Sequence, residues 1–581
     1  MTAARAALVL GISAAAVAGA CRASAPPPGA GVQGLVFAAL LAGEREDTVR
    51  DVAVDAAGHV FVTGGTASPD FPATPGAAQP GFGGAHDAYV AKLAPDGRLL
   101  WASFLGGPHY DRAYAVEVDA AGNPVVAGRA GAGFPTTPGV LQPRFAGDTT
   151  RNDLYGAQDG FVAKLSADGG RVLWATYLGS SDEGFVRDLD LDAAGRPVIA
   201  MAHRTPPPFV SPGAFQTAIR GGLDGFVARL AADGSRVEWG TFVGGGGDEA
   251  GEASVRVASD SIHAVWSTRS ADAPTTPGAW QPRSAGAADV LYARLSLDGA
   301  RLLAATFLGG SGEEVLETHD LALDRDGSAI VTGGTTSRDF PTTEGAAHGR
   351  FGRGDAAWPR DGFVARLSGD GTRLLAATYL GGEVGDAPEG VWIGPRGEIG
   401  VSGTVVGRGF PGSAPALRGA SDAFVVRFSP DLRRRLDVTL LGVEGAGMAR
   451  TSAPYGPDDL VLGLVGEGGA LPGVSPAAVR ARSHAGAAQG RDGAVLAVRL
   501  QRQQRSVAVK GRAPGRLMAD LDGDAVDVGA VGAPGEEERV ALADGVLAEQ
   551  SFHGFRVEAP LLQRHRPAVI HVGVGVVEID N

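Results

Sequence analysis

The stretch that decides the fold is DGFVARL, residues Asp361 to Leu367, because close copies of it recur through most of the chain. β-branched and aromatic residues alternate in it with small ones, a pattern typical of a strand. The copies stand 61 to 72 residues apart, a period that suits one propeller blade of four strands and a long loop. Seven copies, the last of them looser, begin at Asp87, Asp159, Asp224, Asp289, Asp361, Asp422 and Asp492.

Residues 48–107 show the order of strands within one repeat. TVRDVAVD (strand A) and HVFVTGG (strand B) flank Gly58, and DAYVAKL (strand C) and RLLWASFLGG (strand D) flank Gly97. Both glycines stand where a tight hairpin requires positive φ, which glycine adopts without penalty. The long loop between strands B and C and the connection from D to the next A therefore fall on one face, and the hairpin turns on the other.

The strand-D pattern follows each of the first six C strands and is missing after the seventh, which ends at Leu500. A related segment, LVFAALLAG, stands alone at Leu35 to Gly43, before the first blade. We therefore predict that this N-terminal strand pairs with Val495 to Leu500 and completes the last blade, which removes an open sheet edge. The sequence thus predicts an all-β fold: a seven-bladed β-propeller over residues 34–500, made of four-stranded blades and closed by an N-terminal strand.

Several of the long loops share a second pattern, as in SPDFPATPGAAQ at Ser68, GFPTTPGVLQ at Gly133 and APTTPGAWQ at Ala273. Together with DGFVARL and YLGG, these loops resemble bacterial SBBP repeats, a family of seven-bladed β-propellers. The resemblance covers about four-fifths of the chain. It implies a secreted or surface-attached propeller, and it carries no catalytic residues.

Composition excludes several other classes of protein. The 581 residues include 90 Gly and 36 Pro, which disfavours long helices, while 44% apolar residues suffice for a packed core. A single cysteine, Cys21, cannot form an internal disulfide or a thiolate zinc cluster. A net charge of −14 with only three lysines argues against nucleic acid as a partner, since phosphate binding needs a basic surface.

The first 20 residues read as a secretory signal, with Arg5 followed by a short apolar stretch. Ala18-Gly19-Ala20-Cys21 resembles a lipobox, which predicts a lipid on Cys21 and contact with a membrane through it. Ordinary signal cleavage nearby is the alternative. Residues 21–33 then form an Ala-Pro-rich tether. We expect an extracytoplasmic protein, either an outer-membrane or cell-surface lipoprotein or a freely secreted one.

Residues 501–581 leave the repeat and read as a small C-terminal β-domain. The run DLDGDAVD within it imitates the start of a calcium loop. Ala525 stands where such a loop has Gly, and no Glu occupies its twelfth position, so a hairpin turn is favoured and bound Ca²⁺ is the alternative. The carboxylates concerned are Asp520, Asp522, Asp524 and Asp527.

Acidic residues recur in the connections from strand D to the next strand A. Since these connections share the long-loop face, the sequence predicts an acidic rim around the channel mouth. Such a rim would collect Ca²⁺ or cationic partners. The simpler interpretation, which we favour, is a solvated surface. The predicted rim comprises Asp111, Asp182, Glu183, Asp248, Glu249, Glu313, Glu314 and Asp386.

No catalytic motif is recognisable, which favours a binding protein over an enzyme. We expect an interaction scaffold for a protein or glycan, held by the long B-to-C and D-to-A loops, with no cofactor. The alternative is a carbohydrate-active hydrolase or lyase with acids at the channel mouth, where Glu313 and Glu314 would be among the first candidates. The tryptophans of the D strands are expected to pack between blades, and the isolated histidines to lie in loops or the core. These residues are Trp101, Trp174, Trp239, His109, His203, His263 and His319.

Overall fold

A computed structural model describes the chain from residue 35 to 499, with gaps, and six strands between 505 and 580. The described part contains strands, turns and bends and no helix. It accordingly contains no helix able to cross a membrane. Residues 1–34, with the predicted signal, Cys21 and the tether, lie outside it. The internal gaps are 148–154, 182–183, 318, 353–359, 383–384, 407–409, 411–420, 442–445, 456–458 and 468–490.

The described residues form seven antiparallel four-stranded blades in a ring, which confirms the predicted seven-bladed propeller. Each blade runs A-B-C-D from the centre outwards, and strand A of blade 5 is split in two. Blades 1 to 3 consist of β2 (Asp47–Val54), β3 (Val60–Thr66), β4 (Asp87–Leu93) and β5 (Leu99–Leu105); β6 (Arg112–Val118), β7 (Pro124–Ala130), β8 (Asp159–Leu165) and β9 (Val172–Leu178); and β10 (Asp188–Leu191), β11 (Pro197–His203), β12 (Asp224–Leu230) and β13 (Val237–Val243).

Blades 4 to 7 follow in the same order. They consist of β14 (Glu249–Val257), β15 (Ser261–Thr268), β16 (Asp289–Ser296) and β17 (Leu302–Leu308); β18 (Glu314–Val315), β19 (Leu321–Leu323), β20 (Ala329–Thr335), β21 (Asp361–Leu367) and β22 (Leu374–Leu380); β23 (Asp386–Ile393), β24 (Ile399–Val405), β25 (Asp422–Phe428) and β26 (Arg435–Leu441); and β27 (Ala446–Pro454), β28 (Asp459–Glu467) and β29 (Arg491–Arg499), completed by β1 (Leu35–Leu41).

The ring closes as the sequence predicts, because β1 pairs antiparallel with β29. Ala39 lies opposite Val495, and Leu41 lies opposite Gly493. The last blade therefore combines both ends of the propeller, and β29 is covered on both of its edges. Closure of this kind leaves no inner strand free to pair with another chain.

Tryptophans of the D strands join neighbouring blades, as expected. The indole nitrogen of Trp101 in blade 1 donates to the carbonyl of Ala167 in blade 2, at 3.1 Å. Trp174 in blade 2 donates in the same way to Ala232 in blade 3, at 2.9 Å. Both rings are buried, so each adds apolar packing and one satisfied donor to a blade interface.

The long B-to-C loops lie along the outer edge of their own blades. In blade 1, Thr74 N donates to the carbonyl of Ala102 in strand D, at 2.9 Å. Gln79 then bridges the blade, with its Oε1 accepting from Gly106 N at 3.0 Å and its Nε2 donating to Asp87 at 3.3 Å. Equivalent bonds recur in blades 2 to 4. The Pro-Gly loops thus cover the D-strand edges, which would otherwise expose unpaired backbone groups.

The chain after the propeller forms six strands in one sheet, in agreement with the predicted C-terminal β-domain. Within it, the second and third strands pair with Leu521 opposite Asp524, as in a tight hairpin. Asp522 and the side chains of Asp520, Asp524 and Asp527 lie outside the described residues. In chain order the strands are β30 (Arg505–Arg512), β31 (Arg516–Leu521), β32 (Asp524–Val528), β33 (Glu538–Ala541), β34 (Val569–Gly573) and β35 (Val576–Asp580).

The C-to-D turn of blade 2 gives a test of the blade interface. Gly169 has a φ of 71°, and a Cβ there would lie 2.3 Å from Trp101. Gly169→Ala should therefore cost about 1 kcal/mol in backbone strain and a further 1 to 3 kcal/mol to displace the indole. Gly139→Ala is the matched control, because Gly139 also has positive φ, at 82°, but nothing lies within 4 Å of its added Cβ.

Urea unfolding should show Gly169→Ala to be clearly less stable than Gly139→Ala, and the difference should shrink in a Trp101→Ala background. Equal losses in the two glycine variants would contradict the described packing of Trp101.

Candidate functional site

The A strands line the centre of the ring, where each contacts the A strands of the neighbouring blades. Five of them carry an irregularity in register with strand B, which leaves one residue unpaired in blades 1, 2, 6 and 7 and residues 250–252 unpaired in blade 4. Such bulges turn a side chain out of the ladder, and here they turn it towards the channel. The single unpaired residues are Arg50, Tyr114, Glu389 and Arg450. Together with the residues in the corresponding part of blades 3 to 5, Arg187, Glu252 and His319, they form what we call the bulge ring.

The bulge ring has a cationic half, from Arg450 through Arg50 and Tyr114 to Arg187, and a second half in which Glu252 and Glu389 stand on either side of His319. Two ion pairs mark the borders between them. Arg187 Nη2 lies 3.0 Å from Glu252 Oε1, between blades 3 and 4. Arg450 Nη1 lies 2.6 Å from Glu389 Oε2, between blades 7 and 6. Glu252 and Glu389 are therefore committed to the outer arginines of the cationic half.

The cationic half contains two further arginines beside Arg50, namely Arg112 in β6 and Arg129 in β7. Arg112 is 7% exposed and Arg129 is 5% exposed, and the Nε atoms of all three are buried without a hydrogen-bond partner among the described residues. Arg112 Nη2 lies 3.9 Å from Oε1 of the partly exposed Glu46. Burial, together with repulsion from Arg450 and Arg112, lowers the pKa of Arg50 to about 9. Among the described residues, Arg50 and Arg129 have no ion pair with a carboxylate, and Arg112 has only the distant one to Glu46.

Tyr114 lies at the centre of this cluster. The guanidinium carbons of Arg187, Arg50 and Arg129 lie 4.7, 5.7 and 5.7 Å from its ring centroid. Burial would raise the pKa of Tyr114, but these cations and Arg112 lower it to about 8. A phenol in this setting ionises far more readily than an ordinary tyrosine.

An aromatic shelf lies beside Tyr114, at the end of the channel that faces the long loops. Arg129 is held among its rings, 4.1 Å from the centroid of Tyr155, 4.7 Å from that of Tyr110 and 5.1 Å from that of Phe185. His86 stacks on Tyr110, with centroids 4.4 Å apart. Tyr110, Tyr155 and Phe185 are all half-buried, so the shelf combines apolar faces with a fixed cation.

His319 crosses the channel below Tyr114. Its backbone has a φ of 67°, rare for a residue other than glycine, and its Nε2 donates to the carbonyl of Tyr114 at 3.1 Å. The ring also lies between two buried carboxylates, 3.6 Å from Asp51 and 3.4 Å from Asp188. Burial alone would lower the pKa of His319, but Asp51 and Asp188 raise it to about 9. The imidazole is therefore a buried cation at neutral pH.

Glu317 precedes His319 in the same segment. Its carboxyl lies near the paired acids Glu389 and Glu252. Burial, and then repulsion from those two acids, raises its pKa to about 7. The cluster thus contains a carboxyl whose pKa is raised and a phenol whose pKa is lowered, a combination typical of acid-base sites.

Four acids of the predicted rim are buried, which differs from the expected solvated surface. Asp111, Glu249, Glu314 and Asp386 each accept the backbone N–H of the glycine four residues earlier, at 2.6, 3.3, 3.1 and 2.6 Å. These glycines end the D strands, so the carboxylates lock the D-to-A turns. Burial raises the pKa of Asp111 to about 7 and that of Asp386 to about 8. These four carboxyls therefore lie inside the turns and do not form the open acidic rim that the sequence predicted.

Of the remaining rim acids, Asp248 is exposed and Glu313 is half-buried. Glu313 bonds Arg269 at 3.0 Å, whereas the adjacent Glu314 faces the interior, so this pair of neighbouring acids does not converge. Asp182 and Glu183 lie outside the described residues. In the part of the propeller that the structure describes, no three His, Cys, Asp or Glu side chains are arranged to hold a metal ion.

Sequence reasoning missed the bulge ring. His203 and His263 are buried within blades, as expected, but His319 lies in the channel. A signal was present: Arg50, Tyr114, Glu252 and Glu389 each stand three residues after the acid that locks the D-to-A turn. The signal was hidden because the channel residues differ from blade to blade, whereas repeat analysis looks for what stays the same.

Comparison with known proteins gives matches of fold only. A protein of unknown function from Dyadobacter fermentans DSM 18053 is 11% identical with a TM-score of 0.36, covering 81% of this chain and all of its own. A quinohemoprotein alcohol dehydrogenase from Comamonas testosteroni (10%, 0.37, 82% of this chain and 78% of that one) and an ulvan lyase from a new family of polysaccharide lyases (10%, 0.39, 74% and 93%) are similar to the same degree.

No protein-family model and no curated protein matches the sequence. The resemblance to SBBP repeats therefore stays a prediction that rests on the quoted residues. At the identities and TM-scores found, none of the solved structures supplies an argument about activity.

The charge on His319 gives a test of the channel. A histidine whose pKa is raised from 6.5 to about 9 adds stability that is complete below pH 6.5 and is lost as the pH rises through about 9. His319→Asn removes the cation but tolerates positive φ, and it should cost about 3 kcal/mol near pH 6 by leaving Asp51 without its cation, while Asp188 keeps its ion pair with Arg256.

Thermal unfolding between pH 6 and pH 10 checks this. The gap between wild type and His319→Asn should narrow towards pH 10. His59→Gln is the control, because His59 pairs with Asp55 near the surface. A gap that stays constant with pH would show that His319 carries no charge.

Proposed function

We propose that this protein binds an acidic glycan at the channel mouth, through the guanidinium cluster around Tyr114. The proposal keeps the predicted role of a binding scaffold on the long-loop face. The ligand would contact arginines of the bulge ring and its surroundings, and not the acids of the D-to-A loops as the sequence predicted. The ligand's carboxylate or sulfate groups would supply the negative charge that the cluster lacks.

The observation that carries the proposal is the cluster of guanidinium groups of Arg50, Arg112 and Arg129 around Tyr114 and the aromatic shelf. Their Nε donors are buried and unpartnered among the described residues, and a buried unpaired cation is costly. A stable fold retains such groups where a ligand completes them. Guanidinium groups also match carboxylates and sulfates in shape, since both can form two parallel hydrogen bonds.

The aromatic shelf favours a saccharide over a small inorganic anion. Tyr110, Tyr155 and Phe185 offer half-buried ring faces beside the cation of Arg129. Ligand sites typically combine such apolar faces with a few fixed polar groups. A sugar with an acidic substituent presents both a flat apolar face and an anion, so one residue of it can use the shelf and the cluster together.

The sequence indicates where in the cell the protein would bind this ligand. The signal-like residues 1–20 and the lipobox-like Cys21 favour a protein outside the cytoplasm, held at a membrane by lipid or released. A protein partner, the other ligand class expected from the sequence, would need a broad exposed surface. The described B-to-C loops are instead bonded to their own blades, which favours a ligand that enters the channel.

Titration calorimetry with a tetrasaccharide of 4-linked hexuronic acid tests the proposal. The neutral tetrasaccharide of the same linkage should bind much more weakly. Arg50→Gln should weaken acid binding about 10- to 100-fold, the usual value of one charge-assisted contact. Arg236→Gln is the matched control, because the Arg236 side chain is 64% exposed and bonds only Glu238.

Equal affinity for the acidic and neutral tetrasaccharides would refute the proposal. So would unchanged affinity in Arg50→Gln, provided that the variant unfolds at the wild-type temperature.

A further inference from the structure

We propose that the turn between blades 4 and 5 is closed by one proton, which the buried carboxyls of Asp289 and Glu314 share. The turn is then a pH-sensitive latch on the long-loop face, closed in mildly acidic solution and loosened as the pH rises past neutral. Glu314 begins strand A of blade 5, and His319 of the bulge ring lies between the two parts of that strand. Opening of the turn therefore reaches the channel, whichever ligand binds there.

The two carboxyls meet beside Gly309, directly after strand D of blade 4. Glu314 Oε2 and Asp289 Oδ1 both lie less than 3.0 Å from the point that a Cβ on Gly309 would occupy. Both side chains are fully buried, and they are within hydrogen-bonding reach of each other. Two buried carboxylates this close repel each other strongly, so one proton is retained between them.

Glu314 is surrounded by hydrogen-bond donors. Its Oε1 accepts from the hydroxyls of Thr335 and Ser337, at 2.6 Å each, and its Oε2 accepts from Gly310 N at 3.1 Å. Three donors stabilise the ionised form of a carboxyl. The negative charge of the pair therefore belongs on Glu314.

Asp289 has an oxygen with room for the proton. Its Oδ2 accepts from Ala285 N at 2.7 Å and from Gln281 Nε2 at 3.2 Å. Its Oδ1 is buried without a hydrogen-bond partner among the described residues, and this is the oxygen that lies beside Gly309. A proton on Oδ1 turns an unsatisfied acceptor into a donor to Glu314.

In the described part of the chain, neither Asp289 nor Glu314 forms an ion pair with a cation. Burial, with a smaller contribution from the charge of Asp289, raises the pKa of Glu314 to about 7, and burial also raises the pKa of Asp289. The Tyr379 hydroxyl nearby is neutral and donates to a backbone carbonyl at 2.8 Å. The other charged groups of the surrounding loops are exposed or half-buried: Arg269, Glu313, Arg338 and Asp339.

The junction between blades 5 and 6 repeats the arrangement. Asp361 Oδ1 and Asp386 Oδ2 lie 2.7 and 3.0 Å from the Cβ position of Gly381, and Asp361 Oδ1 is again buried without a partner among the described residues. Asp386 accepts from Gly382 N at 2.6 Å, as Glu314 does from its own glycine. Burial, together with the charge of Asp361, raises the pKa of Asp386 to about 8. The latch is thus a feature of the repeat.

The direction of the pH effect follows from these pKa values. In an open turn the carboxyls meet water and return to ordinary pKa values of about 4, so the open turn holds no proton above about pH 5. The closed turn keeps its proton until the pH approaches 7. Opening therefore releases one proton between these limits and becomes easier as the pH rises. The stability that the proton adds is complete below about pH 4 and is lost as the pH rises through about 7.

Hydrogen exchange of the Gly310 amide in the full chain measures the opening of this turn. Its protection factor in wild type should fall about 10- to 100-fold between pH 5 and pH 8. Asp289→Asn should abolish this dependence, because its neutral amide can donate to Glu314 as the protonated acid does while its oxygen accepts from Ala285. The variant should match wild type near pH 5 and exceed its protection about 10- to 100-fold at pH 8.

Asp224→Asn is the matched control. Asp224 stands at the same position in blade 3, but both of its oxygens accept backbone N–H groups, from Gly221 at 3.0 Å and from Arg220 at 2.9 Å. An amide nitrogen there would face a donor, so this variant should lower the protection of the Gly245 amide at both pH values.

Wild-type protection of Gly310 that stays constant between pH 5 and pH 8 would overturn the proposal, and this measurement needs no variant. An Asp289→Asn chain less protected than wild type at pH 8 would overturn it as well. So would added Ca²⁺ that raises the protection of wild type but not of Asp289→Asn, because a cation would then stand in place of the proton.

Discussion

The propeller depends on the buried charge cluster at its axis, where the His319 imidazole lies between Asp51 and Asp188. Asp51 also accepts from Val116 N at 2.8 Å and from the Thr451 hydroxyl at 2.9 Å. Bonds from the same centre reach the other blades: Asp188 accepts Val255 N, and the His319 carbonyl accepts Val391 N. All seven A strands are therefore tied to one another without a packed apolar centre. Removing one member would leave the others charged and buried, which is why the cluster constrains the ring so strongly.

This constraint shapes the channel above it. A ring of similar repeats tends to give a symmetrical channel, but in the blades that carry a bulge, the bulge places a side chain outside the strand ladder, where that side chain can differ between blades. Arg50 and Tyr114 occupy equivalent positions in adjacent blades, and Glu389 occupies the same position across the ring. The repeat therefore sets the backbone, while the side chain at the bulge position differs from blade to blade.

The sequence predicted the blades, their order and the closing strand, because these follow from local patterns: strand periodicity, glycine at hairpin turns and the unpaired segment at Leu35 to Gly43. It did not predict the site. Whether Glu314 faces water or a turn depends on the amides of a strand end that folds back on it. The pKa of Tyr114 is lowered by arginines of blades 1, 2 and 3 that surround its ring. Such properties arise from residues far apart in sequence, and no repeat pattern contains them.

The acidity of the whole chain sharpens the interpretation of the site. A net charge of −14 repels an acidic glycan at long range, so the field of the protein does not deliver the ligand. Salt screens that repulsion between exposed charges, but it screens the buried guanidinium groups much less. Under the proposed function, binding would therefore come from short-range contacts with Arg50, Arg112 and Arg129, whose Nε atoms have no hydrogen-bond partner among the described residues. An acidic surface around a buried cationic site thus favours ligands that can enter the channel and discriminates against polyanions that can only adsorb to the surface.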